Sequence, residues 1–308
     1  MKKTQKEAQD PGLGTSFKQA VPRMMNEDGT FNIERQGTIA TYKDVYKYLV
    51  EIKSWQFVLI LVLAFLILNT LFTLGYLLIG IDQLNGIPDT QTPFLAAFYF
   101  SAQTFTTVGY GAIAPVGNGA SFLAAVEAFV GLISFSIATG LVYGRFSKPS
   151  AKIAFSKNIL LTPHRDKTAL MFKIVNTRNS VLLNTKVHVM ISLTKPNSDH
   201  TAYERHYFSL PLEIDFTRYF PLTWTLVHFI DEDSPLFGMS LEEIIERDAE
   251  VLIIVEAFDE TFSQNVLQKN SYAGHQWLGN VKFARNFGTT PEGKIVLNIR
   301  ELDDIVPL

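Results

Sequence analysis

The chain has 308 residues, 47% of them hydrophobic, and a formal net charge of −3. Its mean hydropathy of +0.13 is too low for a many-span transporter, so the average hides a mixture of polar and apolar stretches over roughly two domains. Cysteine is absent, which excludes disulfides, zinc thiolates and a thiol nucleophile. The histidines are scattered without metal-ligand spacing, and no GxSxG, HExxH or phosphate loop gives catalysis a seat. No interleaving of basic and aromatic residues points to nucleic acid.

Met1 to about Arg35 mixes glycine, proline, amides and charge without periodicity, and is expected to be an extended or disordered arm. The opening is polar, unlike a signal peptide. From Thr41 to Ile52, Tyr42, Val45, Tyr46 and Leu49 recur at helical spacing with Lys43, Asp44, Lys47 and Glu51 opposite. Such a helix, just before a span, is expected to lie in the membrane interface rather than in solvent. Trp55 to Ile81 then runs without charge and exceeds the roughly 20 apolar residues that cross a bilayer.

Between this span and the next, Thr92 to Pro115 is apolar but too short for two crossings. Pro93 suits a first helical turn, and Phe94 to Thr104 can continue for about three turns. Thr107-Val108-Gly109-Tyr110-Gly111 follows. A potassium ion entering a narrow pore must replace its hydration shell, and rings of backbone carbonyls can do so. Gly109 and Gly111 permit the positive φ that brings successive carbonyls to one side. Thr107 can add a hydroxyl oxygen, while Val108 and Tyr110 turn outward as braces. One chain supplies a quarter of each ring, so three identical subunits are expected beside it. K+ would bind at Thr107, Val108, Gly109 and Tyr110, and the pore helix would aim its partially negative C-terminus at the cation.

Gly117 to Phe146 is the second span. Phe135, Thr139 and Tyr143 are spaced by four along it. Four copies of Phe135 and of Tyr143 would form constrictions that close by dewetting, unless these rings face lipid. Gly131 can serve as a hinge or as a helix contact. Glu127, an acid within a span, is expected to support the filter rather than to touch ions. Lys43, Lys47 and Lys53 precede the first span, Arg145, Lys148 and Lys152 follow the second, and the loop between carries two aspartates and no base. The positive-inside rule puts both termini in the cytoplasm of a multi-pass cell-membrane protein. Lys53, Arg145 and Lys148 can hold anionic lipid headgroups or merely mark topology.

Past Pro149 the runs Ala169–Val175, Thr185–Leu193 and Val251–Phe258 are short and β-branched or alternating, with turn clusters such as Asn176–Asn179 between. They read as an antiparallel β-sandwich. Ser240 to Arg247 starts with a capping serine and early glutamates, a helix start.

From Thr41 to the C-terminus the chain resembles the inward-rectifier potassium channels, particularly their prokaryotic branch. The filter carries this, together with Gly140-Leu-Val-Tyr-Gly-Arg-Phe-Ser-Lys-Pro149, Pro221-Leu-Thr-Trp-Thr-Leu-Val-His228, Ile230 to Leu236, and Ser271-Tyr272. The resemblance implies an immunoglobulin-like cytoplasmic sandwich whose four copies extend the pore. It also implies gating by that domain and by anionic lipid. The family's acidic rectification positions are here Phe135, Asn184 and Gln276, which argues against strong rectification. Its Glu–Arg pair behind the filter is replaced by Gln103 and Ile113, and its flanking cysteines are missing.

The expected architecture is a cytoplasmic arm (1–40), an interfacial helix with an α-helical two-span pore domain (41–149), and an all-β sandwich (150–308), assembled as a homotetramer. The expected function is passive K+ conduction, with no enzymatic activity and no cofactor. The alternative is a membrane-anchored sensor or adaptor with a silent pore. A two-span channel with a Rossmann-type ligand domain would need GxGxxG after a strand, and the C-terminal half has none.

Overall fold

The computed structural model describes residues 7–37, 42–147, 151–196 and 202–308. The chain divides into two compact units, Gly37–Lys148 and Met1–Gln36 with Pro149–Leu308.

The first unit is helical. The helix expected at the interface, Tyr42–Glu51 (the interfacial helix), precedes an outer helix, Ser54–Ile79; the helix expected before the filter, Pro93–Phe105 (the pore helix), precedes an inner helix, Asn118–Phe146. At 1.5 Å per residue the outer and inner helices measure about 39 and 43 Å, enough to cross a hydrocarbon core of about 30 Å. Only 17% and 11% of their apolar windows are buried within the chain, so neither is the core helix of a soluble domain. The outer helix ends two residues before the span that hydropathy suggests. Gly80, at φ +121°, breaks it, and Ile81–Gln83 forms a 3-10 turn. Thr92 caps the pore helix by accepting the Leu95 N–H, and Pro93 occupies the first turn. Tyr76, Leu84, Ala96, Ala97, Phe100, Ile113 and Ala120 form a small core where the pore helix meets its neighbours.

The second unit is a sandwich. One sheet runs in the order Ser16–Phe17, Tyr203–Ser209, Leu182–Pro196, Glu250–Asp259, Gln264–Ala273, with Phe216–Tyr219 also on Leu182–Pro196. The other runs Trp224–Phe229, Lys167–Asn176, Ile159–His164, Trp277–Gly279, with Ile153–Phe155 also on Lys167–Asn176. All pairings are antiparallel except that of Trp277–Gly279 with Ile159–Leu161. Strand alternation builds the core: Leu170, Phe172 and Ile174 face Val187, Val189, Ile191 and Leu193, with Val251, Ile253 and Val255 beside them. Each such side chain contributes about 1.5–3 kcal/mol on burial.

The N-terminal segment, expected as an extended or disordered arm, has little regular structure yet packs with the sandwich unit. Residues 7–36 belong to the sandwich unit. Ser16 and Phe17 pair with Glu204 and Tyr203, and Met24 and Met25 are buried. The Glu250 carboxylate accepts the Met24 and Met25 N–H groups at 2.7 and 3.0 Å, and the Arg205 guanidinium at 3.0 Å. Arg23 donates to the Met25 and Ser271 carbonyls at 2.6 and 2.8 Å. No periodicity announces this packing, because the partner surface comes from strands some 200 residues away.

Candidate ion pathway and its supports

The pore helix ends in a tight return. The Gln103 carbonyl accepts both the Val108 and Gly109 N–H groups, at 2.9 and 3.2 Å, and the Thr104 carbonyl accepts Thr107 N–H at 3.0 Å. Beyond it, φ is positive at Thr107 (+59°), Gly109 (+50°) and Gly111 (+79°), and not at Val108 or Tyr110. Such alternation of handedness rolls successive peptide planes so that their oxygens collect along one side. A Cβ at Gly109 or Gly111 would meet nothing within 4 Å, so glycine serves backbone conformation there, not space. Thr107 takes the same region with a β-branched side chain, an outlier of the sort that marks functional sites. Tyr110 is 79% exposed and Val108 half exposed, so the described residues leave much of both expected braces uncovered.

Behind this loop lies a buried polar cluster. Glu127 on the inner helix is fully buried; its carboxyl accepts the Tyr76 hydroxyl of the outer helix at 2.6 Å and contacts the Ser101 hydroxyl of the pore helix. Ser101 also lies 3.1 Å from the Asn69 amide oxygen and 3.2 Å from the Asn69 carbonyl. One turn further on, Gly131 meets the pore helix so closely that an added Cβ would stand 2.1 Å from the Phe105 carbonyl oxygen. Phe65 of the outer helix packs edge-on against Phe105, 5.8 Å between centroids. The residues behind the 107–111 loop thus meet in two layers four residues apart: Asn69, Ser101 and Glu127, then Phe65, Phe105 and Gly131.

Two family models match the chain: "Inward rectifier potassium channel C-terminal domain" over residues 153–308, and "Ion channel" over residues 57–148. The chain is 30% identical over 286 residues to the inward rectifier potassium channel Kirbac3.1 of Paramagnetospirillum magnetotacticum, covering 92% of this chain and 96% of that protein. The ATP-sensitive inward rectifier potassium channel 12 of Gallus gallus is 29% identical over 262 residues, covering 78% of this chain and 60% of the chicken protein. The human inward rectifier potassium channel 4 is 28% identical over 62% of this chain and 44% of its own length.

The chain belongs to the inward-rectifier potassium channels.

In this inward rectifier, Phe135, Thr139 and Tyr143 form an uncovered stripe on the inner helix, with Phe135 and Tyr143 each 73% exposed. Arg145 is turned inward. Its guanidinium donates to the Leu49, Val50 and Ile52 carbonyls at 2.6, 3.2 and 2.8 Å, and lies 4.6 Å from the centre of the Phe57 ring. Leu49 and Val50 lie in the last turn of the interfacial helix and Ile52 just beyond it, so Arg145 caps it and ties it to the inner helix. Gly144 leaves room there for Tyr46. Lys53 is exposed at the start of the outer helix; Lys148 lies outside the described residues.

In the sandwich of this inward rectifier, His228 is buried within the family-like run. Its Nδ1 donates to the Pro211 carbonyl at 2.7 Å, and its Nε2 lies 2.9 Å from the Ser234 hydroxyl. Burial lowers the imidazole pKa below its usual value, against the opposing pull of the Pro211 carbonyl and Asp231. Gln276, named above as a rectification position, is also buried. Its amide oxygen accepts the Ala273 N–H at 3.1 Å and its nitrogen donates to the Lys157 carbonyl at 3.3 Å, so both ends serve the fold.

Sequence reasoning missed Tyr76, Ser101 and Asn69. Only an intramembrane acid in need of donors could have pointed to them.

Proposed function

We propose that four copies of this chain close around a common axis, with residues 107–111 of each forming the selectivity filter of a K+ pore in the cell membrane. The alternating backbone handedness at Thr107, Gly109 and Gly111 carries this reading, because it aligns the oxygens that replace a cation's hydration shell. The uncovered Tyr110 and Val108 support it, since a neighbouring subunit is what would brace them. Phe135 and Tyr143 supply the gate from the exposed inner-helix stripe, and Glu127 supports the filter from behind. Gly131 acts first as the contact that seats the pore helix, and bending there would move the gate relative to the filter.

Both termini lie in the cytoplasm, and anionic lipid acts at the inner surface. Exposed Lys53, with Lys148, meets the headgroups, while Arg145 carries the effect from the interfacial helix to the inner helix through its carbonyl contacts. The test is ion flux from purified protein in liposomes. K+-selective uptake blocked by barium is expected. Equal passage of sodium, or uptake indifferent to barium, would overturn the reading.

A further inference from the structure

The segment leaving the filter, residues 112–116, must return to the inner helix without letting the filter's outer end shift. No covalent bridge is available, because the chain has no cysteine. A two-residue ladder supplies part of the anchorage, Leu84 against Pro115 and Asn85 against Ala114. Gly86 lies so close to this return that an added Cβ would stand 1.9 Å from the Ala112 carbonyl oxygen.

Gln83 does more than the ladder. Its backbone carbonyl accepts the Val116 N–H at 2.9 Å, and its own N–H donates to the Gly80 carbonyl at 3.1 Å. Its side-chain oxygen accepts the Ala120 N–H at 3.1 Å, one of the unpaired N–H groups of the inner helix's first turn. Its side-chain nitrogen approaches the Ile79 carbonyl at the end of the outer helix, at 3.4 Å. One residue therefore joins both spans and the strand leaving the filter. Two glycines make the space: a Cβ on Gly117 would meet the Gln83 amide oxygen at 2.2 Å, and one on Gly119 would meet it at 3.1 Å.

We propose that Gln83 is a positioning residue for ion selection, a hydrogen-bonded staple that holds the outer end of the filter in its conducting geometry. The inference rests on the conduction reading above. A channel without the staple lets residues 112–116 move against the inner helix, and Gly111 with them. Ion preference changes as a result, beyond any change in the amount of folded protein.

The experiment uses the full chain in liposomes and reads two quantities independent of protein amount: the Rb+/K+ flux ratio and the barium concentration for half block. Gln83→Leu removes both side-chain bonds, and Gly117→Ala drives the amide aside; each is expected to move at least one readout by about threefold or more, the scale set by losing one or two hydrogen bonds. Gln83→Glu keeps an acceptor at the helix N-terminus, and it should stay within about twofold of the wild type. In a Gln83→Ala background, where the space is empty, adding Gly117→Ala should change neither readout. If Gln83→Leu and Gly117→Ala both match the wild type in both readouts, the staple is overturned while the conduction reading stands. If the wild type lacks selective flux, the conduction reading falls and this inference with it.

Discussion

The hydroxyl of Tyr76 on the outer helix donates a 2.6 Å hydrogen bond to the carboxyl of Glu127 on the inner helix, with both residues fully buried. On the other side of that carboxyl stands the Ser101 hydroxyl of the pore helix. Three helices therefore converge on one side chain. Alanine at 127 would leave two buried hydroxyls without this partner, at about 1–3 kcal/mol each. Glu127→Ala is expected to lose most K+-selective flux and to lower the melting temperature. Glu127→Gln, which still offers an acceptor and a donor, should keep the larger part of both. Flux and melting in the same preparation check this, and an alanine variant indistinguishable from the wild type would refute it.

Gly131 and Gly140 lie on the same helix but in opposite circumstances. A Cβ on Gly131 would come to 2.1 Å from the Phe105 carbonyl, whereas one on Gly140 would meet nothing within 4 Å. Gly131→Ala must push the inner helix off the pore helix, and a reduction in selective flux of about tenfold or more is expected, in line with overpacking costs of about 1–3 kcal/mol. Gly140→Ala should leave folding intact or improve it by about 0.5–1 kcal/mol, the helix preference of alanine over glycine. Thermal melts and flux of the two variants side by side decide the matter.

Arg205 and Glu250 form a buried ion pair, 1% and 0% exposed at 3.0 Å, and the same carboxylate holds the Met24 and Met25 amides. Removing one partner of a buried pair costs about 3–5 kcal/mol. Glu250→Ala is expected to free the segment around Met24 and Met25, so that limited proteolysis cuts it faster than in the wild type. Cleavage at an unchanged rate would show that the segment is held by something else.

His228 sets a pH dependence for the sandwich. Its folded pKa lies below the unfolded value of about 6.5, so the unfolded state binds more protons as pH falls through that value. The stabilising contribution of the neutral ring is complete above about pH 6.5 and declines below it, as the Nε2 beside Ser234 is forced to take a proton. The melting temperature is expected to drop on going from about pH 7.5 to 5.5, and His228→Gln should flatten the slope. An equal slope in the variant would assign the effect to other groups.

Some of the architecture could be read directly from neighbouring residues. Trp55 to Ile81 announces a span because a bilayer core tolerates little else over that length, although the helix itself stops at Ile79. Pro93 announces the pore helix by suiting its first turn, and Gly109 and Gly111 announce positive φ. Strand alternation at Val187, Val189 and Ile191 points to a buried sheet face. Other features had no local sign. Arg145 could be read only as a basic residue beside a span, a lipid contact or a topology marker; that its guanidinium meets carbonyls some 95 residues earlier had no local sign. Thr107 adopts a positive φ that composition alone assigns to glycine.

The sequence by itself determined the spans, the helix between them, the glycine-bearing loop after it and the β character of the second unit. Each of these follows from torsional preference, capping or apolar periodicity within a few adjacent residues. Only the tertiary structure decided which polar groups satisfy one another: Glu127 with Tyr76 and Ser101, Arg145 with the interfacial helix, and Glu250 with Met24 and Met25. The physical reason is that a buried donor or acceptor must be paired, but nothing in its own neighbourhood of chain specifies with whom. That choice belongs to the packing of elements 26 to 226 residues apart.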